Sequence, residues 1–218
     1  MQTIPVKQPL FLVFEGIDGS GTTTQARRLY DRLHRDGHRP ILTREPGGTP
    51  LAERIRALVL DPEAGQVDNI TELLLYGASR RQHVTELIAP TLASGKPVIS
   101  DRYASSTVAY QGVGRGLGVE LATVVNDIAI GATTPDTTIC LDLSVEHASE
   151  RRRNRGGIVD RLEQAGDSLQ QSVRDAYLAM AQADPERWYV LDAVAEAERL
   201  HQDIWTYLNN RYPNFPYR

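Results

Sequence analysis

The sequence predicts one α/β domain spanning 1–218, built on a five-stranded parallel sheet with helices on both faces. Short apolar runs recur at 10–15 (LFLVFE), 39–44 (RPILTR), 97–102 (PVISDR), 137–143 (TTICLDL) and 188–193 (WYVLDA). Segments with the apolar spacing of amphipathic helices separate them. The runs read as continuously apolar, the pattern of strands covered on both sides by crossover helices. None of the glycine-rich stretches is long enough to serve as a linker between separate domains.

The elements follow in order. The first run feeds straight into EGIDGSGTTTQ at 15–25, and that turn opens the helical pattern TTTQARRLYDRL. The second run ends in a glycine loop at 47–48. From Asn69 to about Ser94 the spacing predicts one long helix, with Asn69 and Glu72 placed as a capping box before LLLY. Gly95 stops it, and Lys96 and Pro97 lead into the third strand, as a C-terminal glycine followed by proline does. Glycines at 112–118 and 156–157 mark further loops.

Hydrophobic residues make up 41% and charged residues 24%, which excludes wholesale disorder. A net charge of −4 argues against broad binding to nucleic acid or an anionic membrane, while leaving room for a local basic cluster that grips small phosphates. The single cysteine, Cys140, sits in a strand run and reads as a buried thiol. The start, MQTIPVKQPLFLVFEG, holds too short an apolar stretch for a signal peptide or a membrane span, so a cytoplasmic location is expected.

A glycine-rich turn between a strand and a helix is the context of a phosphate loop. Glycines 16, 19 and 21 let the backbone turn and bring its N–H groups against phosphate oxygens, and the helix dipole adds partial positive charge. Taken alone, such a turn is also read as a plain tight turn; as a phosphate loop it makes Gly16, Ile17, Asp18, Gly19, Ser20, Gly21, Thr22, Thr23 and Thr24 the candidate ATP-binding residues. The pattern G-x-x-x-x-G-K-[ST] puts lysine at position 22, where this chain has Thr22; Thr23 follows at the magnesium-binding hydroxyl. A positioned cation at developing phosphate charge is worth about 10²–10³ in rate, so another group is expected to take its place. The only lysines, Lys7 and Lys96, both precede strands, whereas ligands bind beyond strand C-termini.

Arginines are better placed. RRRNRGGIVDRLE at 151–163 carries Arg151, Arg152, Arg153, Arg155 and Arg161, and on a helix Arg151 and Arg155 share a face. A basic run is ordinarily a solvated helix end, but Gly156 and Gly157 follow at once, and a hinged lid closing arginines onto a triphosphate fits better here. At the end of the third run, Asp101 is placed to hold hydrated magnesium and Arg102 to fork onto an acceptor phosphate, against the plainer reading of a loop ion pair. Tyr76 and Arg80 lie one turn apart on the long helix, able to stack a base and bond its edge, although a helical tyrosine more often belongs to a core.

Together FEGIDGSGTTTQ, TREPGGTPLAERIR (43–56), LLLYGASRRQH (73–83), SDRYASSTVAYQGVGRG (100–116) and RRRNRGGIVDRLE resemble the thymidylate kinase family. The resemblance implies a P-loop nucleoside monophosphate kinase fold and transfer of the γ-phosphoryl group of ATP to dTMP, with Mg2+ at Thr23 and Asp101. It also implies that Tyr76 stacks on thymine, Arg80 bonds a base carbonyl, Thr107 meets the base edge and Tyr110 packs under the sugar, disfavouring a ribose. Arg102 would hold the dTMP phosphate, Asp18 would lie near the 3′-hydroxyl, and Glu45 and Pro46 would wall the pocket. Ser106 and Gln111, both in the motif DRY-x-x-S-x-x-AYQG, join the same acceptor site. The lid resembles the bacterial subclass in which lid arginines assist transfer, so Arg151, Arg153 and Arg155 join Asp18, Asp101 and Arg102 as the expected catalytic set. A homodimer is implied as well. Two other readings stay open: a nucleotide-binding homologue without turnover, and a kinase for another deoxynucleoside monophosphate.

Overall fold

The computed structural model describes residues 8–156, 161–162 and 166–217, without the Arg155 side chain. Its sheet holds five strands, β1 (Phe11–Glu15), β2 (Ile41–Arg44), β3 (Val98–Asp101), β4 (Thr137–Asp142) and β5 (Trp188–Asp192), in the order β2-β3-β1-β4-β5. Every pairing is parallel, as the apolar runs predict. The chain moves from β1 outward to β2, back to β3 beside β1, and then across to β4. Such a reversal opens a crevice at the C-terminal ends of the central strands.

Alternation along β1 shows both faces covered. Leu12 and Phe14 join Leu29, Leu33, Val173 and Tyr177 in the larger core, whereas Phe11 and Val13 join Val84, Ile88, Val98 and Tyr103 in a smaller one. Phe11 and Tyr103 meet edge to face at 4.9 Å. Helix α1 (Thr22–Arg35) follows the phosphate loop and buries Ala26, Leu29 and Leu33, an i, i+3, i+7 stripe against the sheet. Cys140 is buried in β4, and burial pushes its thiol up to about 12, consistent with an inert strand residue.

Helix α2 (Pro50–Leu60) is capped by Thr49, whose side chain accepts from the N–H of Ala52. The predicted helix from Asn69 is continuous but not uniform: α3 (Asn69–His83) passes through a π-helical turn at Val84–Ile88 into α4 (Ala89–Ala93). Pro90 supplies no N–H to the ladder, and the widened turn lies just before it. Gly95, at φ 79°, ends the helix as expected. The cap is a correction. Asp68, not Asn69, accepts the N–H groups of Ile70 and Thr71 at 3.0 Å each. Glu72 turns inward instead, fully buried, and receives Gln111, Arg115 and Arg161.

A short α5 (Ala104–Thr107) runs into a second π-helical turn, Val108–Gly114, so the glycine stretch at 112–118 is helical at its start. Then come α6 (Val119–Ile130), α7 (Val145–Arg155), α8 (Asp167–Ala183) and α9 (Ala197–Arg211). The aromatic tail closes the base of the sheet: Phe215 lies edge-on to Trp205 at 5.5 Å, and the carbonyl of Pro216 accepts the N–H of Leu10.

Candidate active site

Two adjoining hollows lie at the C-terminal ends of β1 and β3. The larger, about 930 Å³, is walled by the loop Asp18–Thr24, by Asp101 and Arg102, and by Arg151 and Arg152 from α7. The smaller, about 110 Å³, is lined by Pro46, Tyr76, Arg80, Ser106, Thr107, Tyr110 and Gln111. Asp18, Glu45, Arg56 and Arg102 line both, so the two hollows adjoin at these side chains.

The loop's shape follows from its glycines. At Gly16 a Cβ would stand 2.7 Å from the carbonyl oxygen of Leu141, and at Gly19, with φ 95°, 2.7 Å from that of Ala148. Neither position admits a side chain, and the loop therefore seats against β4 and α7. The hydroxyl of Thr23 donates to Oδ2 of Asp101, while Oδ1 of Asp101 is buried without a partner. Two predicted ATP-binding residues stand apart from the cleft wall: Ile17 is a core side chain, and Gly16 faces inward, where its carbonyl accepts from Arg102.

Arg102 is the joint between the hollows. Its backbone adopts φ 71°, the only positive value at a non-glycine position among the described residues. That turn, with its N–H on the carbonyl of Phe14 at 2.8 Å, sends the side chain back over the phosphate loop. Nη2 donates to Oδ1 of Asp18 at 2.6 Å, and Nη1 donates to the carbonyl of Gly16 at 2.8 Å. The guanidinium lies over the Tyr110 ring at 5.3 Å. Burial works against its charge, but Tyr110, Asp18, Tyr177 and Glu15 outweigh it and hold its pKa well above the ordinary value. Beneath it, Glu15 accepts the N–H groups of Tyr103 and Ser106 and the hydroxyls of Ser106 and Tyr177. Burial nevertheless keeps the Glu15 carboxyl above the usual glutamate value.

Arg80 is fixed almost completely. Its side chain, 2% exposed, donates to Glu45 at 2.7 Å, to Thr107 at 2.7 Å, to Asn126 at 2.7 Å and to the carbonyl of Tyr103 at 3.0 Å. A guanidinium has five N–H groups. One therefore remains, on the Nη2 that serves Tyr103. Glu45 is also bound by His83 at 2.9 Å, whose other ring nitrogen meets Thr43 at 2.7 Å, tying the strand-end loop with its cis Glu45–Pro46 bond to α3. Glu53 and Arg56 of α2 hold the same loop through the N–H of Gly48 and the carbonyl of Pro46, both at 2.9 Å.

Sequence reasoning missed several residues here. Gln170 of α8, 1% exposed, donates to Oδ2 of Asp18 at 2.7 Å and accepts the Asp18 N–H at 3.2 Å. Tyr177 and Asn126 likewise carry contacts that only the fold reveals, and Arg152, named in the sequence only as part of the basic run, donates to the carbonyl of Asp18. Of the lid arginines, Arg151 donates to the carbonyl of Ala193 at 2.8 Å across the cleft mouth, whereas Arg153 is exposed and away from the lining. The Arg155 side chain, with 157–160 and 163–165, lies outside the described residues, so the predicted lid is described only at its two ends. At its far end, Arg161 donates to the carbonyl of Val59 at 3.0 Å and to Glu72, and Leu162 lines the smaller hollow.

Comparison with known proteins decides the family. The family model described as thymidylate kinase matches residues 14–204. The chain belongs to the thymidylate kinase family. It is 43% identical to the thymidylate kinase of Exiguobacterium sibiricum, covering 92% of this chain and 96% of that one. With the enzyme of Deinococcus radiodurans it shares 44% identity over 94% of this chain and 99% of the relative. The crystal structure of thymidylate kinase from Ehrlichia chaffeensis superposes with a TM-score of 0.72 at 34% identity, covering 91% of this chain and 98% of that chain. The α/β fold is thus that of the P-loop nucleoside monophosphate kinases, and the chain is an enzyme of that class. Among the described residues no helix is long and apolar enough to cross a membrane.

Proposed function

We propose that this chain transfers the γ-phosphoryl group of ATP to the 5′-phosphate of dTMP, giving dTDP and ADP on the way to dTTP. The observation that carries it is the junction: a base-sized hollow with Tyr76, Arg80, Thr107 and Tyr110 on its walls adjoins the phosphate-loop cleft at the ion pair of Asp18 and Arg102. An oxygen of the dTMP phosphate attacks the γ-phosphorus, and the bond to the bridging oxygen breaks. Its electron pair stays on the β-phosphate of ADP, and nothing is oxidised or reduced. The enzyme contributes position and charge rather than covalent chemistry.

The backbone N–H groups of Gly19, Gly21, Thr22 and Thr23 cradle the donor phosphates, with Thr24 at their edge, while the Ser20 N–H closes the loop on the carbonyl of Ile17 at 3.0 Å; Arg102 holds the acceptor phosphate. Asp18, steadied by Gln170, faces the sugar 3′-hydroxyl. Tyr76 stacks on thymine, the remaining N–H of Arg80 meets a base carbonyl, and Thr107 and Gln111 border the base edge. Ser106 braces Arg102 from below, and Pro46 closes the wall. Arg151, at the α7 end of the lid, brings charge to the donor side of the cleft.

A hydroxyl and a carboxylate with a spare buried oxygen suit a hard, hydrated cation, so Thr23 and Asp101 would hold Mg2+. When bound, the ion would offset negative charge on the β- and γ-phosphate oxygens. A homodimer is supported by exposed apolar residues on three adjacent helices, Leu58 on α2, Ile70 and Leu74 on α3, and Val124 and Ile128 on α6. Comparing dTMP, dUMP, dCMP and dGMP as acceptors with Mg-ATP tests the reading. A preference for dTMP supports it, and faster turnover of any other acceptor would overturn it.

A further inference from the structure

We infer that Arg152 is the donor-phosphate cation of this enzyme, standing where the phosphate loop offers Thr22 instead of a lysine. This rests on the phosphoryl-transfer reading above. Lys96, the lysine within the described residues, lies just before β3 at the opposite end of the sheet. Among the described residues the cation therefore has to be an arginine.

The arginines of the larger hollow are not equivalent. Arg44 faces Glu53 at 3.0 Å, Arg56 is bound to the carbonyl of Pro46, and Arg102 is held by Asp18 at the acceptor side. Arg151 lies across the carbonyls of Ala193 and Ser20, at the mouth between the turn after β5 and the phosphate loop. Among the described residues Arg152 alone reaches the carbonyl of Asp18, at 2.7 Å from Nη1. A Cβ on Gly19 would come 3.2 Å from the Cγ of Arg152, so the arginine stem lies directly on the loop.

Its support is rigid. Nη2 donates to Oγ of Ser149, one turn earlier on α7, at 2.6 Å and to Asp167 at the start of α8 at 3.2 Å. Three of the five N–H groups are used in this way. The two that remain, on Nε and Nη1, are available to phosphate oxygens at the cleft wall. A guanidinium carried by α7 and braced by α8 is oriented before the donor arrives, which is what makes a fixed charge effective against charge that develops as the phosphorus–oxygen bond breaks. The same packing explains Gly19: a side chain there would push α7, and Arg152 with it, off the loop.

Arg152→Ala, Arg152→Lys and the pair Arg152→Ala with Thr22→Lys test the assignment. At saturating dTMP and Mg-ATP, Arg152→Ala is expected to lower kcat about 100–1,000-fold. Calorimetry is expected to show about tenfold weaker binding of a non-hydrolysable ATP analogue, with AMP and dTMP affinities unchanged. Arg152→Lys should fall between the two, and Thr22→Lys should restore at least part of the loss by returning a cation to the loop. A kcat within about fivefold of the parent would overturn the inference. So would a loss shared equally by dTMP affinity, or one that neither lysine substitution lessens, since both mark a packing role. The calorimetric arm separates this inference from the broader one, because polyphosphate affinity responds to Arg152 even if dTMP is not the acceptor.

Discussion

Replacing Arg80 by Met keeps a long side chain on α3 but removes the charge that links three elements of the acceptor site. Arg80 and Glu45 are each 2% exposed, and the four donors of Arg80 reach Glu45, Thr107, Asn126 and the carbonyl of Tyr103. The substitution leaves Glu45 with His83 as its remaining ionisable partner and strands three further acceptors. Removing one partner of a buried pair costs about 3–5 kcal/mol, mostly through the charge left behind. For a chain of this size 1 kcal/mol moves Tm by about 2–4 °C, so a fall of about 6–20 °C is expected. Urea denaturation of Arg80→Met, Glu45→Gln and the double variant gives the assay. Because Glu45→Gln removes the stranded charge, the double variant should be more stable than Arg80→Met alone. A loss below about 1 kcal/mol for Arg80→Met, or strict additivity in the cycle, would refute the reasoning.

Glu72 offers a pH test: burial pushes its carboxyl up, but hydrogen bonds from Gln111, Arg115 and Arg161 win and lower it below 4.5. A lowered acid stabilises the fold above its unfolded value and loses that contribution as pH falls through the folded one, so Glu72→Gln should flatten the stability loss below about pH 4.5. An unchanged acid limb in Tm against pH would contradict this. Tyr76→Ala should raise KM for dTMP about 5–150-fold while leaving KM for ATP unchanged, since base stacking is worth about 1–3 kcal/mol. Tyr110, buried under Arg102, should govern sugar choice, and Tyr110→Ala is expected to narrow the dTMP-over-ribonucleotide preference about tenfold in paired kcat/KM measurements. Gln170→Leu leaves Asp18 without its bidentate amide, and a drop in kcat with little change in Tm is expected from steady-state kinetics and melting.

Where local pattern decides the outcome, the sequence was informative. The five apolar runs became the five parallel strands because helices cover both faces, and the phosphate loop was legible because its glycines, its strand and its helix are contiguous. Tyr76 and Arg80, one helical turn apart, do share a pocket. What was hidden depends on distant partners. Asp68 and Asn69 are both capable caps, and Glu72 was free to leave the cap because its partners arrive from 39, 43 and 89 residues away. Among three consecutive arginines nothing local says which faces the loop; the seating of α7 on Gly19 decides it. Gln170 lies 152 residues from Asp18, and no spacing rule spans that distance. Ile17 sits inside the motif but belongs to the core, since a loop folded against β4 buries the side chain between its glycines.

The most direct test is a crystal structure with dTMP, a non-hydrolysable ATP analogue and Mg2+ bound together. The predicted result places thymine between Tyr76 and Arg80 and the acceptor oxygen about 3–3.5 Å from the γ-phosphorus, in line with the bridging oxygen, with Asp18 and Arg102 at the junction. A nucleotide base outside the smaller hollow, or phosphates that fail to meet at Arg102, would contradict the account.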